Sequence, residues 1–244
     1  MDHIIDILSK VQFTPLTNES QSLLDGRYKV EFYTSANIAD SVHVLKQIHS
    51  NHVYRADSLD LKKISSTAGD GLFTQTPELS IGVRTADCLP ILFASAGKDD
   101  FSAAVHAGWR GFSSGIIERT LKISSQLSVK ASDLHVVIGP AISRRWFEIG
   151  PEVFDILRKD SLMSEKAFLS CAEKGVEDRW HFDLQQGACL KLIGLGVKPH
   201  NILVYRKCTY EESTLHSSLH SSLHSYRKEG KGCSHNFSAI TIQN

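Results

Sequence analysis

The stretch LSIGVRTADCLPILFASAGKDDFSAAVHAGWRG, residues 79–111, decides the fold. It contains three apolar runs: LSIGVRT (79–85), CLPILFAS (88–95) and FSAAVHAG (101–108). Ala86 and Asp87 separate the first two, and GKDD (97–100) makes a hairpin-like turn before the third. Short apolar runs bounded by turn residues predict strands. Pro90 marks a strand start or a bulge, because proline donates nothing to a ladder.

Working outward, RYKVEFYT (27–34), VHVLKQIH (42–49), LHVVIGP (134–140), NILVYR (201–206) and NFSAITI (236–242) read the same way. GDGLFTQ (69–75) enters a strand from a Gly-Asp-Gly turn. Beyond residue 111 the period changes. Ile116, Ile123 and Leu127 stand at i, i+7 and i+11 with Ile117 and Leu121 beside them, which predicts a helix, with Ser113 or Ser114 as its N-cap. PEVFDILRKD (151–160) places proline at a first helical position, and DLQQGACLKLIGLG (183–196) reads as a helix with a glycine stop. The mixed order predicts an α+β chain rather than a regular βαβ array. No Pro/Gly/Ser-rich linker divides it, so residues 1–244 are expected to form a single domain.

The composition limits function. Of 244 residues, 41% are hydrophobic, enough to hide roughly 70% of the unfolded surface. Lys plus Arg equals Asp plus Glu at 27 each, so the electrostatic footprint of a nucleic-acid binder is missing. The longest nearly apolar stretch, residues 88–96, is far short of the ~20 needed to span a bilayer. Asp2 and Asp6 stand where a signal peptide would carry cations, and the five cysteines form no C-x-x-C pair. A cytoplasmic protein with reduced thiols is the expectation. In residues 215–226, LHSS-LHSS-LHSY would align His216, His220 and His224 on a helix at metal-binding spacing. A tandem duplication in a surface loop accounts for it more simply.

Three stretches carry chemistry: KQIHS around His49, RTADCLP around Cys88 and VHAGWRG around His106. Separations of 39 and 18 residues are too long for a zinc finger but suit ligands gathered from separate strands. Two imidazoles and a thiolate would leave a fourth zinc position open, as catalytic sites do. Each residue also has a plainer reading: a surface histidine, a buried small thiol, a strand-end histidine. The glycines of HAGWRG allow close backbone approach. Spacing alone does not join the three.

At these residues the chain resembles the YfiH/laccase-domain family, also called the multicopper polyphenol oxidase or purine nucleoside phosphorylase family and including FAMIN-like proteins. TADCLPI (85–91) and VHAGWRG (105–111) are its signature pair; KQIH, GDGLFTQTPELSIGV, GPAIS…FEIG, HFDL, CTY and SYRK follow its other motifs, over about residues 42–242. The resemblance implies a single-domain α/β sandwich of mixed sheets flanked by helices. It also implies a metal site of His49, Cys88 and His106, holding Zn2+ with Cu2+ as a competitor. Implied activities are phosphorolysis of adenosine, inosine and methylthioadenosine, and adenosine deamination, with nucleoside and phosphate as small-molecule partners. The alternatives are a Cys–His amidase editing peptidoglycan precursors, with Cys88 as nucleophile and His106 or His49 as base, and a copper-dependent polyphenol oxidase. Against the last, the chain has 12 His and no His-x-His pair.

The chain departs from the family pattern at Arg145 and Trp146, at Lys228, at His235 and in the repeat, which looks like an insertion at 215–224. Asp87 is a candidate proton carrier, with a turn role as its plainer reading. Arg110, Arg227 and Gln47 are candidates for holding substrate or phosphate, the two arginines because a guanidinium fork suits phosphate oxygens. Arg110 stacking on Trp109 is the plainer alternative.

Overall fold

The computed structural model describes residues 6–14, 20–34, 41–213 and 223–244. In chain order it contains strands β1 (Gln12–Thr14), β2 (Ser20–Leu23), β3 (Tyr28–Thr34), β4 (Val53–Arg55), β5 (Gly71–Thr74), β6 (Ile81–Thr85), β7 (Leu89–Ser95) and β8 (Ser102–Ala107). Helices α1 (Trp109–Ser113) and α2 (Ile116–Gln126), β9 (Leu134–Ile138) and β10 (Glu148–Ile149) follow, then α3 (Pro151–Arg158) and α4 (Glu165–Cys171). The chain continues through β11 (Ala172–Lys174), β12 (Trp180–Phe182), α5 (Leu184–Gly194), β13 (Ile202–Tyr205), α6 (Thr209–Glu212), α7 (Tyr226–Glu229) and β14 (Asn236–Ile242).

A seven-stranded mixed sheet runs in the order β1-β13-β9-β7-β8-β5-β4, and a four-stranded antiparallel sheet in the order β2-β3-β14-β6. A small sheet, β10-β12-β11, lies apart from both. The period-2 alternation of the central strands explains the layering. Leu89, Ile91 and Phe93 of β7, with Ala103 and Val105 of β8, pack into a core with α2, α3, α4 and α5. Leu92 and Ala94, with Ala104, face a second core that includes Val30, Phe32, Ile81, Val83 and Ile240 of the four-stranded sheet. Helices cover one face of the large sheet and the four-stranded sheet covers the other, so β7 and β8 are buried throughout. This is why their sequences read as unbroken apolar runs rather than as alternation. The expected mixed sandwich flanked by helices is the fold observed.

Two local expectations are corrected. Residues 42–49 are not a strand: they make only isolated bridges, His43 to Ile81 and Lys46 to Ala68. The amides of Ile48, His49 and Ser50 turn instead toward the Asp70 carboxylate, and His49 takes a left-handed φ of 60°. Helix α2 is capped not by Ser113 or Ser114 but by Gly115, whose φ of 86° suits a residue without a Cβ. The two serine hydroxyls bond back to the carbonyls of Arg110 and Gly111. Of the repeat, His216 and His220 lie outside the described residues.

Helix α5 carries a fully buried cation. Lys191 Nζ lies 2.7 Å from both Glu118 and Asp160 and donates to the Phe112 carbonyl at 3.0 Å, tying α5 to α1 and α2. Removing one partner of such a cluster strands the others in a medium of low polarity. Lys191→Ala is expected to lower the unfolding free energy by about 3 kcal/mol. Urea denaturation would measure it, and an unchanged midpoint would contradict the assignment.

Candidate metal centre

Strand register brings the chemical residues to one end of the large sheet. Gly71 of β5 pairs with Val105 of β8, so Asp70 stands level with His106, whose amide donates to the Asp70 carbonyl at 2.7 Å. Leu89 of β7 pairs with Ala107, which sets Cys88 beside Gly108. His49 arrives from the turn that precedes β4.

Asp70 is fully buried. Its carboxylate accepts from the amides of Ile48, His49 and Ser50 at 2.6 to 3.2 Å, from Ser50 Oγ at 2.7 Å and from His106 Nδ1 at 2.8 Å. Burial alone would raise its pKa, but the bonds from His106 and Ser50 outweigh burial and bring it down to about 2. An ionised carboxylate only accepts, so His106 Nδ1 is the donor and Nε2 is the ring nitrogen turned toward another partner, a metal ion once its own proton is lost.

The candidate ligand atoms of His49, Cys88 and His106 all lie within 4.8 Å of one another. Cys88 Sγ is 4.0 Å from His49 Nε2, and the imidazole rings of His49 and His106 meet edge to face at 4.8 Å. Burial disfavours the Cys88 thiolate, yet the two histidines hold the thiol down to about 7. Burial also opposes protonation of His106, which Asp70 and Cys88 nevertheless raise to about 9. Cys171 and Cys189, buried without such partners, are pushed up to about 12. Two imidazoles and a low-pKa thiol form a donor set that fits a borderline-soft metal ion, and the orienting carboxylate behind His106 is typical of such sites. Gly108 makes room for it: a Cβ there would stand 2.8 Å from Cys88 Sγ and 3.0 Å from His49 Cδ2.

The three donors open on a cavity of about 590 Å3, whose lining also includes Gln47, Asp87, Arg110 and Arg227. All the candidates from the sequence therefore meet there, but several are engaged. Asp87, at a φ of 97°, accepts from Thr209 Oγ1 at 2.6 Å and from the Arg227 amide at 2.7 Å, which joins the start of α6 to α7. Gln47 pairs its side-chain amide with the Arg84 backbone. Arg110 lies over the Trp109 ring at 4.2 Å. Arg227 donates to the carbonyls of Trp146 and Glu148. Sequence reasoning missed Asp70, read there only as part of a turn, and also the cavity residues Arg84, Phe147, Tyr226 and His235. The one available signal for Asp70 was an acid between two glycines at the mouth of an apolar strand.

A sequence model of the family described as multi-copper polyphenol oxidoreductase laccase matches residues 24–243. The chain belongs to this family. It is 33% identical over 181 residues to the purine nucleoside phosphorylase YfiH of Shigella flexneri, covering 74% of this chain and 69% of that one. A purine nucleoside phosphorylase of Mycobacterium bovis is 33% identical over 173 residues, covering 71% of this chain and 64% of that one. The chain thus spans about two thirds of these relatives' lengths. The crystal structure of a Bacillus licheniformis protein, YfiH, shares the fold, with a TM-score of 0.75 at 23% identity over 83% of this chain and 74% of that one. Among the described residues of this laccase-family chain, no helix is long and apolar enough to cross a membrane.

Two outcomes test the centre. Gly108→Ala is expected to weaken the binding of a divalent metal ion at least about tenfold, because the Cβ displaces two donors. Competition with a chromophoric chelator reads this, and unchanged affinity would count against the site. Asp70→Asn replaces an acceptor oxygen with an amide that faces N–H groups. It is expected to lower the melting temperature of the metal-free protein by roughly 10 °C and metal affinity by about 10- to 100-fold.

Proposed function

We propose that this chain is a zinc-dependent purine nucleoside enzyme, which phosphorolyses adenosine, inosine or methylthioadenosine and deaminates adenosine. The observation that carries the reading is the His49, Cys88 and His106 set on a cavity rimmed by guanidinium groups, in a chain whose relatives are named purine nucleoside phosphorylases. A cavity of this size suits a nucleoside with a phosphate beside it.

His49, Cys88 and His106 would hold the ion, which when bound supplies Lewis acidity and a water of lowered pKa, near 7. Cu2+ competes for the same donors by the Irving–Williams order, so the metal taken up depends on supply. The protein's own groups do the positioning. Trp109 and Phe147 offer flat apolar surface for a purine. Arginines hold phosphate so that one of its oxygens bonds to C1′ while the C1′–N9 bond breaks and its electron pair leaves with the base. Asp70 fixes the His106 ring so that the site needs no rearrangement.

The test is metal-quantified protein incubated with adenosine, with and without phosphate. Adenine is expected only with phosphate, inosine without it, and both should fall at least about 100-fold in His106→Ala. Equal product from the variant would defeat the reading.

A second reading rests on the 4.0 Å between Cys88 Sγ and His49 Nε2, with His106 oriented by Asp70. These are the parts of a Cys–His amidase: a thiol with an imidazole beside it and a second imidazole, that of His106, held by a carboxylate. The thiolate would bond to the amide carbon, the amine would leave with a proton from imidazole, and water would release the acyl group. Amidase activity on peptidoglycan precursors that survives chelation and is lost to iodoacetamide would favour it. Inactivation by chelator alone would remove it.

A further inference from the structure

We propose that Arg84, rather than Arg110 or Arg227, is the residue that grips the phosphate group in the cavity. The inference rests on the phosphorolysis reading above and adds to it a residue that the motifs did not indicate.

The three cavity arginines differ in what their side chains already do. The Arg227 guanidinium spends both terminal nitrogens on backbone carbonyls, Nη1 on Trp146 at 3.4 Å and Nη2 on Glu148 at 3.0 Å. Its role is to close the wall of the cavity. Arg110 is exposed and lies on the Trp109 ring, where water screens its charge. Arg84 is half-buried on β6 and lines the cavity beside His235. Among the described residues its guanidinium makes one hydrogen bond, from Nη2 to the Leu45 carbonyl at 3.2 Å, and pairs with no carboxylate. A partly desolvated cation without a counter-charge is unfavourable until an anion reaches it, and the planar fork matches two phosphate oxygens.

Arg84 is also held more firmly than the other two. The Gln47 side chain accepts from the Arg84 amide at 2.8 Å and donates to its carbonyl at 2.7 Å. The opposite edge of β6 is laddered to β14, with Arg84 level with Phe237. Gln47 is therefore a positioning residue that acts through Arg84. A cation whose backbone is fixed on both sides loses little freedom when it binds, which is the condition for a selective anion contact.

The experiment compares the zinc-loaded full chain with Arg84→Met, Arg84→Lys and Arg110→Met. It reads phosphorolysis kinetics and, independently, the rise in melting temperature caused by inorganic phosphate and by adenosine 5′-phosphate against chloride of equal ionic strength. Zinc content and circular dichroism confirm that each variant is folded. Arg84→Met is expected to raise KM for phosphate at least about tenfold, with KM for adenosine unchanged, and to abolish the phosphate-induced shift, with partial recovery in Arg84→Lys. A larger thermal shift from the nucleotide, lost in Arg84→Met, would place the bound phosphate on the nucleoside rather than in solution and would still support the assignment. Phosphorolysis that survives Arg84→Met but fails in Arg110→Met overturns the inference and leaves the phosphorylase reading intact. A phosphate shift that Arg84→Met removes, without phosphorolysis in the parent, upholds the inference and overturns that reading. Neither shift nor turnover in the parent overturns both.

Discussion

One buried negative charge organises the centre. The Asp70 carboxylate is withdrawn from water, and an ion so placed must be met by donors from every side. The amides of residues 48–50 provide several of them by wrapping around it, which bends His49 into a left-handed conformation. His106 provides another from its ring. The same charge thus dictates the backbone that presents one imidazole and the tilt and protonation of the other. Cys88 needs no such agent, because the pairing of β7 with β8 puts it in place.

The layers of the fold explain where the cavity lies. Its donors come from strand ends of the large sheet, while Arg84 and His235 come from β6 and the start of β14 in the smaller one. The site therefore uses the seam between two sheets, where side chains from both can converge without disturbing either core. Helices α1 and α7 contribute Arg110 and Arg227. Each is anchored, the first helix from behind the cavity by Lys191 bonding to Phe112 and the second from within its lining by Asp87.

Much of this was legible in the residues. The runs at 79–85, 88–95 and 101–108 became β6, β7 and β8, and the isoleucine pattern became α2. Local pattern failed at 42–49, where an alternating apolar segment gives up its ladder to serve a distant carboxylate. That demand is tertiary and leaves no mark on periodicity. Asp70 was hidden for the same reason: nothing in Gly-Asp-Gly says that the acid will be sealed in. His49, Cys88 and His106 could be grouped through family motifs but not through spacing. Arg84 escaped notice because an arginine in a strand is ordinary, and only the absence of a carboxylate partner among the described residues sets it apart.

The contacts around residues 213 and 224 bear on how the chain tolerates change. Ser213 is held by Glu229 and Lys228, and His224 by both ends of the Asn236 amide. Asp87 separately fixes Thr209 and Arg227. Bonds to β14, α6 and α7 thus hold the two flanks, residues 213 and 224, in fixed places. Gaining or losing a four-residue unit there alters closure entropy only logarithmically.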